Sequence, residues 1–338
     1  MVGSRPIQMS DMSAFRRPTL VYIVSASHSG STLLAMLLNS HADICSVGEM
    51  KISNLGDSEY YRCSCQKMIR ECRFWKSIKT EMESRGFDFD VSNAGTDLQQ
   101  ISSEYVKRLL RPLHRSSGLE YFRDLLLCVS PVWRKSYPLW QQQNLAFAES
   151  VLETSGNKVI VDSSKTGIRL KYLLKISGLD VRVIRLIRDG RAVALTYMDS
   201  WKFADAREPS LRGGGNATVS HPQKSMEQAA IEWRRSNEEA ELILSSLGDD
   251  QSIQIRYEDL CQNMAATLGA VTDFLGLDTG SDYASFRSAP HHVIGNGMRL
   301  DNTSEVRLDD RWRKFLSQAE LGVFERIAGE HNRRYGYA

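Results

Sequence analysis

The chain has 338 residues, with 43 lysines and arginines against 41 aspartates and glutamates, for a net charge of +2. That length suffices for one large domain or two ordinary ones, and 42% hydrophobic with 25% charged residues is a globular composition, not a disordered or fibrous one. Balanced charge excludes a protein that coats nucleic acid non-specifically, and six cysteines are too few for a disulfide-built scaffold.

Met1 to Pro18 is polar, carries Arg5, Arg16 and Arg17, and lacks the apolar stretch of a signal peptide. No later run reaches the ~18 apolar residues of a bilayer span. A cytoplasmic protein with reduced thiols is the expectation. Thr19 to Val24 predicts a first strand, and Thr32 to Leu38, apolar on nearly every face, predicts a buried helix. Ile44 to Val47 adds a short strand. Leu109, Leu110, Leu113, Tyr121, Phe122, Leu125 and Leu126 make 98–128 helical. Further strands are predicted at Lys158 to Val161, Val181 to Ile187 and Ser252 to Tyr257, with a helix near Ile168 to Ile176. The stripe Met226, Ala230, Trp233, Ala240, Ile243 and Leu247 marks 222–247 as an amphipathic helix, and Arg313 to Tyr335 repeats that pattern. The Gly- and Pro-containing stretch between Ala206 and Pro222 reads as a mobile loop. Strands separated by helices and drawn from both ends of the chain predict an α/β fold. The expected form is a single domain over 1–338: a central parallel sheet flanked by helices, with a largely helical insertion at about 50–150.

Two segments carry chemistry. Ser25-Ala-Ser-His-Ser-Gly-Ser-Thr32 lies where a strand passes into a helix. There, backbone N–H groups converge on an anion and small residues let the chain close around it. Ser27, Ser29, Ser31 and Thr32 add hydroxyls, and Gly30 allows the turn. Aligned with the Walker A pattern GxxxxGK[ST] through Gly30 and Thr32, this P-loop-like segment has Ser31 where a nucleoside triphosphatase keeps its lysine. A P-loop kinase with a degenerate loop is therefore the second reading, and a non-catalytic nucleotide-binding regulator the third. At another strand end, Ile187-Arg-Asp-Gly-Arg-Ala-Val193 places Arg188 at the carboxyl edge, Asp189 as a helix cap and Thr196 two turns on. Two anion sites together suggest a nucleotide phosphorylated at both ends of its ribose.

These segments resemble the sulfotransferases that use 3′-phosphoadenosine 5′-phosphosulfate. Ser27-His-Ser-Gly-Ser-Thr-Leu-Leu34 is similar to the family's 5′-phosphosulfate loop, with His28 where Arg or Lys is usual. Ile187-Arg-Asp-Gly-Arg-Ala-Val193 is similar to its 3′-phosphate motif, which implies that Arg188 and Thr196 hold that group. Tyr257-Glu-Asp-Leu260 resembles a segment common after a later strand. His292-Val-Ile-Gly-Asn-Gly-Met-Arg299 and Leu308-Asp-Asp-Arg-Trp312 resemble the C-terminal part of bacterial members, which implies a cofactor contact for Arg299.

Cytosolic members keep a catalytic histidine after a Lys-Thr pair, but Gly167 stands there in Ser164-Lys-Thr-Gly167. Tyrosylprotein and many bacterial relatives use a glutamate inside Gly-Glu instead, which implies Glu49 in Val47-Gly-Glu-Met50 as the base. The resemblance further implies Lys165 beside the departing phosphate, His28 at the sulfonate, adenosine 3′,5′-bisphosphate as product, and no metal in the reaction. The acceptor class stays open among carbohydrate, lipid, small natural product and peptide, as does the oligomeric state.

Cys63, Cys65 and Cys72 cluster before Phe74-Trp75, without paired CxxC spacing or an evident fourth metal ligand. Zinc, a redox pair and buried thiols are all open readings. Cys45, Cys128 and Cys261 are expected in the core. His291 and His292 should point to opposite faces of an extended segment. Trp133, Tyr137 and Trp140 either line an acceptor pocket or fill the core.

Overall fold

A computed structural model describes residues 17–52, 55, 59–101, 103–111, 117–203, 211, 223–278 and 283–338. Five strands, β1 (Thr19–Val24), β2 (Ile44–Gly48), β3 (Val159–Lys165), β4 (Asp180–Ile187) and β5 (Ser252–Arg256), form one sheet in the order β2-β3-β1-β4-β5. All four pairings are parallel. Helices cover both faces of such a sheet, which explains why β1 and the first half of β3, Val159 to Val161, read as continuous apolar runs and not as alternating ones. Two register shifts lie near the carboxyl edge. One, between Tyr22 and Val24, sets Val24 opposite Lys165; the other, between Ser46 and Gly48, sets Gly48 opposite Asp162. Irregularities of this kind re-aim side chains beside functional sites.

Helix α1 (Ser31–Leu38) follows β1, and all eight of its residues are buried. Between β2 and β3 lie α2 (Arg73–Ser84), α3 (Glu104–Leu109), α4 (Ser117–Val129) and α5 (Pro131–Ser155). Ser130 caps α5 by accepting from Trp133 N, and Gly156, left-handed, ends it. The remaining helices are α6 (Gly167–Leu173), α7 (Gly190–Met198), α8 (Ser200–Phe203), α9 (Met226–Leu244), α10 (Tyr257–Gln262), α11 (Met264–Leu275), α12 (Trp312–Phe315) and α13 (Gln318–Arg334).

Several boundaries differ from the sequence pattern for local reasons. Among its described residues, the stretch 98–128 holds a 3₁₀ turn at Leu98–Gln100 and parts of two α-helices, the first capped by Ser103, whose side chain accepts from Val106 N. Its apolar residues Tyr121, Phe122 and Leu125 face outward on α4, and Cys128 on the same helix is exposed instead of sitting in the core. Cys261 is half-buried and only Cys45 is enclosed as expected. Tyr257 opens α10 instead of ending β5, because Glu258 and Asp259 favour a helix start. The tail breaks before Ser317, where a capping box with Glu320 starts α13 afresh. Of the loop at 206–222, only Leu211 is among the described residues.

Candidate active site

Every strand delivers one of the candidate residues at or just beyond its carboxyl end, the edge at which open α/β sheets bind ligands. β1 leads into Ser25–Gly30, β2 into Glu49, β3 ends on Lys165, β4 leads into Arg188 and β5 into Tyr257.

The first of these turns is left open by its own chemistry. Gly30 is the N-cap of α1, with φ of +90° and no side-chain cap, and the first intrahelical bond runs from Leu34 N to Gly30 O. The N–H groups of the first turn thus have no helical acceptor. Ser25 Oγ and Ser29 Oγ are buried with no hydrogen-bond partner among the described residues. Ser31 and Thr32 are buried beside them. A Cβ at residue 30 would lie 2.5 Å from the Tyr257 ring, so glycine is required twice over, for its φ and for this contact. His28 is also held at positive φ, +63°, with its ring edge-on to Tyr197. Convergent N–H groups and unpartnered hydroxyls fit an oxyanion such as a phosphate or phosphosulfate.

Beside this turn, Lys165 Nζ donates to Glu49 Oε1, and Lys51 Nζ stands 3.8 Å from Glu49 Oε2. Burial pushes the Glu49 carboxyl up, but Lys165, Lys51 and Arg299 outweigh it and hold the group below the usual carboxylate range. Three successive backbone donors fix the glutamate. Glu49 N donates to Ile294 O (3.3 Å), Met50 N to Asp162 Oδ1 (3.1 Å) and Lys51 N to Ser164 Oγ (3.0 Å). Asp162 is fully buried and also accepts from Arg169 Nε at 3.1 Å. A Cβ on Gly295 would lie 3.4 Å from Glu49 Oε1 and 3.6 Å from Thr32 Oγ1, which brings the carboxylate and the start of α1 to one point. Lys165 has φ of +70°, a costly conformation for a residue with a side chain and one that concentrates at functional sites.

The second turn is closed. Arg188 donates from Nη1 to His28 O (2.8 Å) and from Nη2 to Asp309 Oδ2 (2.8 Å), with its guanidinium 4.4 Å from the Tyr257 ring centre. Burial pushes the Asp309 carboxyl up, while Arg311 and Arg188 overcome this and hold it far below its ordinary value. Asp189 caps α7 by accepting from Arg191 N (2.9 Å), Gly190 N donates to Asn332 Oδ1 (2.8 Å), and Asp189 N donates to Glu258 Oε1 (3.1 Å). The Thr196 hydroxyl donates back to Ala192 O at 3.2 Å. Arg299 is fully buried, and its terminal nitrogens donate to the carbonyls of Gly295, Asn296 and Arg62. Its terminal nitrogens are therefore committed to backbone, while Nε is buried without a hydrogen-bond partner among the described residues.

A cavity of about 630 Å³ opens next to Ser25, Ser27, Lys51 and Lys165. Its far wall is α9, through Gln228, Glu232, Arg235 and Ser236, and Tyr197 also lines it. These helix residues were missed by the sequence reading, which followed only the apolar stripe of this helix. The signal was present in the complementary stripe, since 228, 232 and 235 share a face at i, i+4 and i+7. Glu49 touches this cavity through its two lysines, not with its own carboxylate. Trp133 and Tyr137, stacked at 4.6 Å, line a separate cavity of about 390 Å³, and Trp140 is core, donating to Thr96 O at 2.7 Å.

Residues 18–281 match the Sulfotransferase family. The chain belongs to that family. Its fold is similar to the sulfotransferase domain from the curacin biosynthetic pathway, with a TM-score of 0.52 and 18% identity over 96% of this chain and 99% of that one. Sulfotransferase STF9 from Mycobacterium avium is also similar, at a TM-score of 0.48 and 11% identity over 96% and 78% of the two chains. No curated protein matches the chain. Among the described residues of this sulfotransferase, no helix is long and apolar enough to cross a membrane.

Proposed function

We propose that this sulfotransferase takes its sulfuryl group from 3′-phosphoadenosine 5′-phosphosulfate and passes it to a hydroxyl or amine of an acceptor entering the 630 Å³ cavity. The observation that carries this reading is the uncapped, hydroxyl-lined start of α1 beside the Glu49–Lys165 pair. Bound there, the phosphosulfate supplies an activated SO₃ group. Residues Ser27 to Thr32 hold its oxygens through backbone N–H groups and hydroxyls, with His28 as a further donor. Glu49, ionised because its cationic neighbours keep its carboxyl low, accepts the acceptor's proton. Lys165 gives up its bond to Glu49 and turns Nζ to the phosphate oxygen that gathers charge. Arg188 serves the 3′-phosphate by exchanging Asp309 for it, assisted by Thr196. Tyr257 supports both turns. Arg299 acts indirectly, by holding Gly295 and its neighbours behind Glu49. The reaction as written calls on no metal. Six unpaired cysteines support a cytoplasmic setting.

Two measurements test this reading. In calorimetry, adenosine 3′,5′-bisphosphate binds without magnesium and Mg-ATP does not; the reverse result would indicate a kinase. In transfer of radiolabelled sulfate to a panel of alcohols and amines, Glu49→Gln loses activity by about 10²–10⁴-fold while still binding the bisphosphate. Full activity in Glu49→Gln removes the assigned base. Loss of bisphosphate binding would instead show damage to the fold of the site.

A further inference from the structure

The three clustered cysteines gain from the fold the fourth partner that their spacing lacks. His292, 220 residues further along the chain than Cys72, brings Nδ1 to 3.2 Å from Cys72 Sγ and 3.7 Å from Cys63 Sγ. Cys65 Sγ lies 3.6 Å from Cys72 Sγ, and the four ligand atoms are all within 4.8 Å of one another. Zn–S bonds of about 2.3 Å and Zn–N bonds of about 2.0–2.1 Å put the donors of a tetrahedral site about 3.5–3.8 Å apart. A disulfide between Cys65 and Cys72 would require their sulfurs to close to about 2.05 Å.

We propose that Cys63, Cys65, Cys72 and His292 bind a structural zinc ion that fastens the 61–72 loop to the chain segment behind Glu49. Three thiolates and one imidazole select zinc among the common divalent metals, and four protein donors leave no open position for catalysis.

The surroundings are those of a built site. Cys63 and Cys72 are completely buried, with Cys65 and His292 partly so. Gln66, directly after the second cysteine, is held at φ of +69°, while Gln66 N donates to Cys63 O and Cys63 N to Lys67 O, both at 2.9 Å. This tight turn points the sulfurs of Cys63 and Cys65 the same way. Cys72 is the N-cap of the 12-residue helix α2, where the helix dipole favours a thiolate. The His292 ring is clamped flat against Phe74, with centroids 4.6 Å apart and planes 5° from parallel. His291 diverges from it as expected, toward Ser64 Oγ (2.7 Å) and Arg287 O (3.1 Å).

The two joined segments meet at further points on the way to the active site. Val293 N donates to Ser64 Oγ (2.8 Å), Ser64 N to Val293 O (3.3 Å), and Gly295 N to Tyr61 Oη (2.9 Å). The next link is Glu49 N to Ile294 O. Zinc bound here is a positioning device: it sets the strand-like 293–295 segment against which the glutamate backbone rests.

The test requires only the full chain and the metal. Expressed with added zinc and purified under reducing conditions without chelator, the wild type carries about one zinc ion per chain by elemental mass spectrometry. Cys72→Ser and His292→Ala each fall below about a fifth of that, while Cys128→Ser, an exposed cysteine outside the cluster, keeps it. Cobalt(II) exchanged into the wild type shows the ligand-field bands of tetrahedral coordination together with sulfur-to-cobalt charge transfer. Should the variants fail to fold, this spectrum decides alone. Metal-free wild type with no cobalt signature, or a Cys65–Cys72 disulfide in the isolated protein, overturns the proposal. None of these readouts depends on the sulfo donor, so the metal site and the transfer chemistry stand or fall separately.

Discussion

Two turns of the same sheet, each leading from a strand into a helix and each built from small and basic residues, end in opposite states. At the end of β1, α1 starts with no cap, and two serine hydroxyls are buried without partners. At the end of β4, the corresponding groups are engaged, apart from Arg188 Nε, which is buried without a partner among the described residues. Asp189 caps α7, Asn332 and Glu258 take the neighbouring N–H groups, and Asp309 neutralises Arg188. A buried polar group left unpaired costs about 1–3 kcal/mol. On the function proposed above, the first turn recovers this cost when an anion binds. On the same reading, the second exchanges one anion, the Asp309 carboxylate, for the 3′-phosphate. The difference lies in what surrounds each turn and not in the turn itself.

The largest effect expected from disturbing this contrast is at the open side. Lys165→Met should lower sulfuryl transfer by about 10²–10³-fold, measured with saturating donor. It should also move the acid limb of kcat/KM to higher pH. Burial drives the Glu49 carboxyl up and Lys165 is the strongest influence drawing it down, so its loss raises the pH at which Glu49 ionises. An unchanged limb would detach Lys165 from the base. Gly30→Ala comes next. It forces a side chain into a left-handed position at about 1–2 kcal/mol and into the Tyr257 ring, and calorimetry should show bisphosphate affinity lower by roughly tenfold or more. Asp189→Ala, at the closed turn, removes a cap and should cost about 1–2 kcal/mol in denaturant unfolding. Ser29→Ala is the matching change at the open turn. Its hydroxyl is buried with no partner to lose, so stability should hold or rise by up to about 1–3 kcal/mol, while bisphosphate binding weakens several-fold. If Ser29→Ala destabilised the protein as much as Asp189→Ala, the contrast between the turns would vanish.

What could be read from the sequence was what local pattern encodes. The β1 and β4 runs, the all-round apolar α1 and the capping aspartate each follow from neighbours within a few residues. The resemblance to sulfotransferases likewise rests on short contiguous motifs. Glu49 and Lys165 were nominated separately, but their ion pair joins two strands and leaves no trace in either segment. Asp309 as the partner of Arg188, and His292 as the partner of Cys72, are long-range pairings of the same kind. The three carbonyls that Arg299 binds are long-range and local partners that its own segment does not announce, since a buried structural arginine and a ligand-binding one look alike in one dimension. Tyr121, Phe122 and Leu125 misled because helical spacing marks a face without saying whether anything packs on it.

The ring of Tyr257 has a consequence of its own. It presses on Gly30, leaving no room for a methyl group, and it also lies 4.4 Å from the Arg188 guanidinium. This ring, on the first residue of α10 just past the edge strand β5, thus touches both turns. If the proposed donor bridges the two turns, this ring sets the separation that its two phosphate groups must match.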